Sequence, residues 1–260
     1  MLLDPTYGEY SYVLEKIIEC RVERFTLKRE VEYQVDIADL VHAVKRDYDL
    51  IVLVNPNNPT GRYLSKTELV EVLRYIPCRT LVWIDEAYLE YVADSESCES
   101  LASDSDNVIV CKSMSKVYAL SGARVSYLCA ASQQIAQLRP LNPPWAVSLP
   151  AQVAAVHALQ DPAYYQRCYR ETILLREQLA CRLSEFQAFE IIPGAANLVL
   201  CHLKENAPGA ESLIERCQLH GLFLRNVRNM GSQLGDRAIR IAVKDPLTIE
   251  RMIQTLAKAF

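Results

Sequence analysis

The chain has 260 residues, of which 50% are hydrophobic and 23% are charged, and its formal net charge at pH 7 is −4. This balance is typical of a globular protein with one large or two modest domains. The slightly acidic charge, without a basic cluster, argues against a nucleic acid partner, and no apolar run has the length of a membrane span. The first residues also lack the basic region and long apolar run of a secretory signal.

The cysteines and histidines do not form a metal-binding pattern. There are nine cysteines, an odd number, and they lack the C-x-x-C spacing of a zinc site or the pairing of a disulfide framework. The four histidines form neither H-x-x-x-H nor H-E-x-x-H. Cys111, Cys129 and Cys201 lie inside apolar runs, where they act as small hydrophobic residues. We therefore expect no metal and a reducing, cytoplasmic location.

Helical spacing of apolar residues predicts two early helices, at residues 36–45 and 65–75. Asp36 or Asp39 is a candidate cap for the first of them. The second begins with Ser65-Lys66-Thr67-Glu68, which matches a capping box. Before them, residues 9–20 have helical spacing and residues 21–27 alternate like an edge strand.

Three apolar runs end in polar residues that can do chemistry. They are residues 50–54, 81–84 and 108–111, and their lengths and flanking turns predict buried strands. The polar residues after them are Asn58, then Asp85 and Tyr88, then Ser113 and Lys116. The spacing leaves room for one crossover helix between successive strands, as in a parallel sheet. Because ligands collect beyond the carboxyl ends of parallel strands, we predict a ligand site there.

Lys116 has the surroundings of a reactive amine. A lysine at the mouth of a buried strand is poorly solvated, which favours the neutral amine that reacts with an aldehyde. Hydroxyl groups at Ser113 and Ser115 precede it and Arg124 follows, and together these groups could hold a phosphate. On this stretch alone, a solvated loop lysine beside a loop arginine is the alternative interpretation.

The second half of the chain predicts a separate small domain. After a strand at residues 125–131, three prolines in residues 140–147 predict a rigid lid or substrate-facing loop. A long helix at residues 162–186 then leads into the small domain. Its predicted elements are strands at 197–203, 222–225 and 238–243 and helices at 210–220 and 246–260.

Four motifs, N-P-N-N-P-T-G, D-E-A-Y, S-M-S-K and S-G-A-R, occur in this order and together resemble the class I/II aminotransferases. These are fold type I enzymes that use pyridoxal 5'-phosphate. Within the family, the sequence is similar to the branch of histidinol-phosphate aminotransferase and threonine-phosphate decarboxylase. The resemblance implies an α/β fold, with a three-layer, mostly parallel sheet in a cofactor-binding large domain at residues 1–160 and a smaller α+β domain at residues 161–260. It also implies a homodimer that moves an amino group between an amino donor and a 2-oxo acid such as 2-oxoglutarate.

The resemblance assigns roles around the cofactor ring. Lys116 would form the Schiff base with pyridoxal phosphate and then move the substrate's α-proton. Asp85 would keep the pyridine nitrogen protonated, while Tyr88 and Asn58 would bind the ring oxygen. Tyr7 would stack on the ring, although a turn tyrosine on the surface is its alternative interpretation. Glu86 is interpreted as a supporting residue.

The remaining roles concern phosphate and substrate. By resemblance, Ser113, Ser115 and Arg124 hold the cofactor phosphate. Arg240 binds the substrate's α-carboxylate, with a strand-edge arginine as the alternative, and Arg225 contacts a substrate phosphate. Two further arginines, Arg228 and Arg237, are interpreted as solvated.

The sequence departs from the family pattern at its start. It begins partway into the family domain, and the N-terminal arm, the first large-domain helix and the Gly-rich phosphate-binding turn have no counterpart in it. Such a turn offers backbone N–H groups to the phosphate. We interpret the sequence as a truncated form of the domain. Two alternatives to the aminotransferase stay open: a threonine-phosphate decarboxylase-like enzyme, and a catalytically impaired fragment that acts as a binding protein.

Overall fold

The computed structural model describes all residues from Met1 to Phe260. The ten strands are β1 (Leu2–Asp4), β2 (Arg24–Thr26), β3 (Leu50–Val54), β4 (Leu81–Asp85), β5 (Val108–Ser113), β6 (Ser126–Cys129), β7 (Phe189–Ile192), β8 (Leu198–Leu203), β9 (Arg225–Asn226) and β10 (Ala238–Ala242). The ten α-helices are α1 (Gly8–Tyr12), α2 (Ile37–Val44), α3 (Lys66–Leu73), α4 (Glu99–Ser103), α5 (Met114–Val117), α6 (Ser132–Leu138), α7 (Leu149–Leu159), α8 (Pro162–Ser184), α9 (Ala210–Leu219) and α10 (Pro246–Ala259). A π-helical segment, Val13–Ile17, follows α1, and 3-10 turns occur at Arg29–Val31, Leu89–Tyr91, Arg139–Leu141 and Arg228–Met230. None of the helices combines the length and the apolar character that crossing a membrane requires.

The strands form two sheets, with the orders β2-β1-β3-β4-β5-β6 and β7-β8-β10-β9. In the larger sheet, β3, β4 and β5 are parallel neighbours, and β6 is antiparallel to β5. Strands β1 and β2 are also parallel to each other. The smaller sheet is antiparallel throughout. The larger sheet is therefore mostly parallel, which confirms the predicted α/β class.

The chain divides into two compact units. The first contains Met1, Val35–Pro56 and Leu64–Arg170. The second contains Leu2–Gln34, Asn57–Tyr63 and Glu171–Phe260, so it combines segments from both ends of the chain. The boundary between two domains at residue 160 stays a prediction.

In the first unit, buried strands and capped helices follow the predicted pattern. The apolar residues of β3 from Ile51 to Val54 are all buried, as a strand covered on both faces requires. Helix α2 begins after Asp36, whose side chain accepts from the backbone N–H of Asp39 at 3.0 Å. Helix α3 begins with the predicted capping box, in which the Ser65 N–H donates to Glu68 Oε2 at 2.7 Å. These N-terminal caps satisfy donors that would otherwise lack a partner.

Helix α7 was not predicted as a separate element. It begins after Ser148, whose hydroxyl accepts from the Ala151 N–H at 3.4 Å, so the proline-rich stretch ends just before it. Its buried face consists of alanines and packs against Met114 and Val125. Apolar residues occur on both its buried and its exposed faces, so their spacing has no helical period that could be recognised.

In the second unit, the smaller sheet packs against α8, α9 and α10. The shared core is a cluster of apolar side chains with the members Leu179, Leu183, Val199, Leu213, Ile239, Ile253 and Leu256. The sequence did not predict β7, and of the strand predicted at residues 222–225 only Arg225 lies in a strand, β9. The last helix, α10, is capped by Asp245, which accepts from the Thr248 N–H at 3.0 Å and from its hydroxyl at 2.6 Å.

Candidate active site

In the first unit, Asp85 is a buried carboxylate at the carboxyl end of β4. It lies opposite Cys111 of β5, the strand that leads into Lys116. Its Oδ1 accepts from the backbone N–H of Ala87 at 2.9 Å. Burial and then the negative charge of Asp85 raise the pKa of the Cys111 thiol to about 12. The end of β4 therefore carries a carboxyl group in a poorly solvated place.

Lys116 lies on the short helix α5, directly after β5. Ser113 caps this helix, since its hydroxyl accepts from the backbone N–H of Ser115 at 3.4 Å. Lys116 is exposed, so the poor solvation predicted from its place after a buried strand is not found. The backbone at this point is held from a neighbouring turn, because the buried Tyr91 donates its hydroxyl to the Lys116 carbonyl at 3.0 Å. The sequence did not reveal this contact, since Tyr91 follows the D-E-A-Y motif and lies outside it.

The residues predicted to hold a phosphate are close together. Arg124 Nη1 donates to Ser115 Oγ at 3.3 Å and to the Ser121 carbonyl at 3.0 Å. Arg124 has a φ of 53°, in the left-handed region that non-glycine residues rarely occupy. With Ser113 at the cap of α5, two hydroxyls and one guanidinium lie on the same short segment as Lys116.

Tyr88 and Glu86 follow Asp85 and are both buried. Glu86 accepts from Ser97 Oγ at 2.6 Å and from the Cys98 N–H at 2.8 Å. It also forms an ion pair with the buried Lys112, at 3.0 Å, and this places it in a supporting network, in agreement with the interpretation from sequence.

The Lys112 amine is enclosed by two carboxylates, because Glu90 Oε1 lies 2.9 Å from it on the other side. Burial alone would lower the pKa of Lys112, but Glu90 and Glu86 outweigh that effect and raise it. Lys112 is therefore a charged structural residue.

The remaining predicted site residues belong to the second unit. Asn58 is buried in the N-P-N-N-P turn, and its Oδ1 accepts from Arg240 Nη1 at 2.7 Å. The neighbouring Asn57 donates from Nδ2 to the Pro5 carbonyl at 2.9 Å, and its Oδ1 accepts from the Thr6 hydroxyl at 2.9 Å. The turn that carries Asn58 is thereby tied to the segment that carries Tyr7.

Tyr7 is 40% exposed and lies just before α1, with its ring edge-to-face against Tyr10 at a centroid distance of 6.1 Å. An exposed aromatic ring in this place is available for stacking on a planar ligand. Its alternative interpretation, a turn tyrosine on the surface, fits the same exposure, so stacking on the cofactor stays a prediction.

The two predicted substrate arginines are cross-strand partners. Arg240 of β10 lies directly opposite Arg225 of β9, so both side chains leave the same face of the small sheet. Arg225 lines a cavity of about 520 Å³ together with Glu211, Asn226, Arg228, Asn229 and Met230. Two like charges directly opposite each other destabilise a sheet.

Two arginines that were interpreted as solvated differ from each other. Arg228 is exposed but lines the same cavity as Arg225, and no motif in the sequence pointed to that place. Arg237 is bonded to backbone: its guanidinium donates to the carbonyls of Leu203, Lys204 and Ala207. The interpretation of Arg237 as solvated is wrong, because the chain turns after β8 and the three carbonyls face the Arg237 guanidinium.

Residues 1–256 match the family model of the class I and II aminotransferases. The chain belongs to this family. Histidinol-phosphate aminotransferase of Methanocaldococcus jannaschii is 29% identical over 252 residues, which is 97% of this chain and 66% of that relative. Membership confirms the resemblance found in the sequence, and pyridoxal phosphate is the cofactor of this family.

Solved structures share the fold. Histidinol-phosphate aminotransferase of Sinorhizobium meliloti, in complex with pyridoxal-5'-phosphate, has a TM-score of 0.88 and 24% identity, covering 100% of this chain and 70% of that one. L-threonine-O-3-phosphate decarboxylase of Porphyromonas gingivalis has a TM-score of 0.83 and 22% identity, covering 99% and 75%. At these identities the likeness supports the fold, and the fold type I architecture predicted from the sequence is confirmed.

Proposed function

We propose that this chain carries the residues of an aminotransferase that moves an amino group between an amino donor and a 2-oxo acid such as 2-oxoglutarate. The donor would be an amino acid or an amino-alcohol phosphate resembling histidinol phosphate. The observation that carries the proposal is the buried Asp85 at the end of β4, in register with the strand that leads into Lys116. The chain spans 66% of the length of the M. jannaschii relative, so this activity is proposed for the assembled enzyme.

The residues of the first unit fit pyridoxal phosphate by their chemistry. A buried carboxylate stabilises a neighbouring cation, so Asp85 would keep a proton on the cofactor's ring nitrogen. Tyr88 would donate a hydrogen bond to the ring oxygen. The hydroxyls of Ser113 and Ser115 and the guanidinium of Arg124 offer the donors that a phosphate binds.

The bound cofactor supplies an electron-withdrawing ring that makes the hydrogen on the substrate's α-carbon acidic. Lys116 would anchor the cofactor through its Nζ and then take up and return that proton as general base and acid. The bond from Tyr91 to the Lys116 carbonyl would keep the lysine backbone in one place during this transfer.

By resemblance, four further residues would hold the substrate and one face of the cofactor. Tyr7 would stack on the ring and Asn58 would donate to the ring oxygen. Arg240 would bind the α-carboxylate with its planar fork, and Arg225 a phosphate at the other end of the substrate. The direct pairing of these arginines across β10 and β9 supports a substrate with two anionic groups.

The same pair of arginines favours a second candidate, decarboxylation of a phosphorylated amino acid. That reaction needs the same cofactor residues and the same two anionic groups on the substrate. The two reactions differ in their product, since only decarboxylation releases carbon dioxide.

We further propose a homodimer in the cytoplasm, and the nine free thiols of the chain suit a reducing compartment.

The test is covalent attachment of pyridoxal phosphate, measured as a visible absorption band on the desalted protein. The wild-type chain and Lys45→Ala, which changes an exposed lysine of the same unit, are expected to keep the band, and Lys116→Ala to lose it. Borohydride reduction followed by peptide mass spectrometry should find the cofactor on Lys116. A folded wild-type chain without a band would contradict the proposal and favour the binding-protein alternative.

Substrate and reaction are then separated by product analysis on the loaded protein. Amino donors with and without a phosphate group are offered together with 2-oxoglutarate. Formation of glutamate supports transamination, and release of carbon dioxide without glutamate supports the decarboxylase.

A further inference from the structure

The segment that carries Tyr7 is held by a second partner, the loop that carries Arg228. Asp4 is buried, and its two oxygens accept from one residue: Oδ1 from the Ser232 N–H at 2.8 Å and Oδ2 from the Ser232 hydroxyl at 2.8 Å. Two residues further on, the Thr6 N–H donates to the Met230 carbonyl at 3.1 Å. A buried carboxylate whose oxygens both accept hydrogen bonds holds a loop firmly, because releasing it would leave a buried charge without partners.

The loop packs closely against the segment that carries Asp4. A Cβ built on Gly231 would overlap Pro5 and the Asp4 carboxylate, so the two backbones touch directly. The loop itself is ordered by the bond from the Met230 N–H to the Val227 carbonyl at 2.8 Å. Its other end carries Arg228, whose N–H donates to Asn226 Oδ1 at 2.9 Å.

We propose that Asp4 is a positioning residue that sets the anion affinity of the cavity lined by Arg225 and Arg228. Because Met230 lines that cavity and is bonded to Thr6, the position of the loop depends on the clamp between Asp4 and Ser232. The inference rests on the proposed function in one respect, that the anion is the distal phosphate of the amino donor. The clamp ties this cavity to the turn that carries Tyr7.

A purely structural role is the competing explanation, and the chain offers a matched control for it. Asp245 accepts from the N–H and the hydroxyl of Thr248, the same pair of groups that Asp4 accepts from Ser232, but at the N-terminus of α10. Asp245→Asn removes the same kind of contact in the same unit, at an exposed carboxylate instead of a buried one. Neither Asp245 nor Thr248 lines the cavity.

The experiment is calorimetric titration of the cofactor-free chain with inorganic phosphate. Arg228→Ala identifies the heat that belongs to the cavity, since phosphate can also bind near Ser115 and Arg124. We expect Asp4→Asn to weaken this phosphate binding by about 10-fold, and Ser232→Ala, which removes only the hydroxyl, by a smaller factor. Asp245→Asn should leave the affinity unchanged while lowering the unfolding midpoint.

Equal phosphate affinity in wild type and Asp4→Asn would overturn the inference, whatever the loss of stability. So would a wild-type chain without cavity binding. If Asp4→Asn does not fold, an unchanged affinity in Ser232→Ala overturns it. If the clamp variants weaken phosphate binding but Lys116 binds no pyridoxal phosphate, the proposed function fails and the coupling stands.

Discussion

Arg240 Nη1 donates a 2.7 Å hydrogen bond to Asn58 Oδ1, although the two residues lie 182 positions apart in the chain. From the sequence, Arg240 was predicted to bind the substrate and Asn58 to bind the cofactor. Because its oxygen accepts from Arg240, the Asn58 amide is oriented and presents its NH₂ group as a donor to other partners. This one bond therefore joins a residue predicted to bind the substrate to one predicted to bind the cofactor.

The first prediction is that Asn58 and Arg240 act as a coupled pair. Asn58→Ala should raise the KM for the amino donor by about 10-fold, because Arg240 loses the partner that orients its fork. Arg240→Lys should do the same, since an ammonium cannot bind a carboxylate in two places. In a double-mutant cycle on kcat/KM, the combined loss should be smaller than the product of the single losses. Fully multiplicative losses would show that the bond carries no coupling.

The second prediction concerns the hydroxyl of Tyr91, which binds the Lys116 carbonyl. Tyr91→Phe keeps the ring and should lower kcat several-fold, while the free energy of unfolding changes by only about 1 kcal/mol. The control is Tyr165→Phe, a ring of the same aromatic cluster that packs against Tyr118 and Tyr169. Equal kcat values for the two variants would argue against a role for the hydroxyl in placing Lys116.

The third prediction is that Lys112 is essential for stability. Its amine lies 3.0 Å from Glu86 and 2.9 Å from Glu90, and it is buried. Lys112→Met should lower the free energy of unfolding by about 3–5 kcal/mol, because two carboxylates lose their counter-charge. Arg182→Ala, which breaks the exposed pair of Arg182 and Glu250, should cost less than about 1 kcal/mol. Denaturant titration measures both, and similar losses would mean that burial does not matter here.

The same residue predicts the behaviour at alkaline pH. The pKa of Lys112 is raised, since the attraction of Glu90 and Glu86 outweighs the effect of burial. The folded protein then holds this proton more tightly than the unfolded chain. Its contribution to stability should persist up to the ordinary lysine pKa of 10.5 and be lost as the pH rises through the raised value.

The fourth prediction concerns acid stability and His202. This residue is fully buried, its Nε2 lies 2.8 Å from the Tyr33 hydroxyl, and its Nδ1 has no hydrogen-bond partner. Burial and then the charge of Arg29 lower the pKa of His202 to about 4, partly opposed by Glu190. Between the ordinary pKa of 6.5 and this value the unfolded chain binds the proton better, so stability falls as the pH falls.

The expected loss over that range is on the order of 3 kcal/mol, which follows from the shift in pKa. Urea titrations at several pH values measure it. His202→Gln should flatten the pH dependence, whereas His220→Gln, a change at an exposed histidine, should retain it. An unchanged acid dependence in His202→Gln would assign the effect to other groups.

Local patterns in the sequence predicted the parts of the fold that local forces determine. The capping box of Ser65 and Glu68 forms as expected, because both partners lie within one turn. The strands β3, β4 and β5, which end at Val54, Asp85 and Ser113, were recognised by their apolar runs and flanking turns. Helix α7 was missed because apolar residues occur on both of its faces and give no period.

The contacts that shape the candidate site are long-range, and a single sequence carries no signal for them. The bond of Arg240 with Asn58 and the clamp of Asp4 with Ser232 join residues from opposite ends of the chain. Arg228 was set aside because an exposed arginine is the ordinary case, and only the cavity shared with Arg225 distinguishes it. The solvation of Lys116 was predicted wrongly for the same reason, since the exposure of a side chain depends on which distant segments of the chain cover it.

Gly61 and Gly194 come into direct backbone contact next to the turn that carries Asn58. The Gly61 carbonyl accepts from the Ala195 N–H at 2.7 Å, and a Cβ added to Gly194 would lie 2.9 Å from the Gly61 Cα. Since each glycine is blocked by the backbone of the other, no change at one position could compensate for a larger residue at the other. The two positions should therefore tolerate no substitution in a library that varies both at once, and any search for altered specificity has to keep this pair and vary the side chains around it.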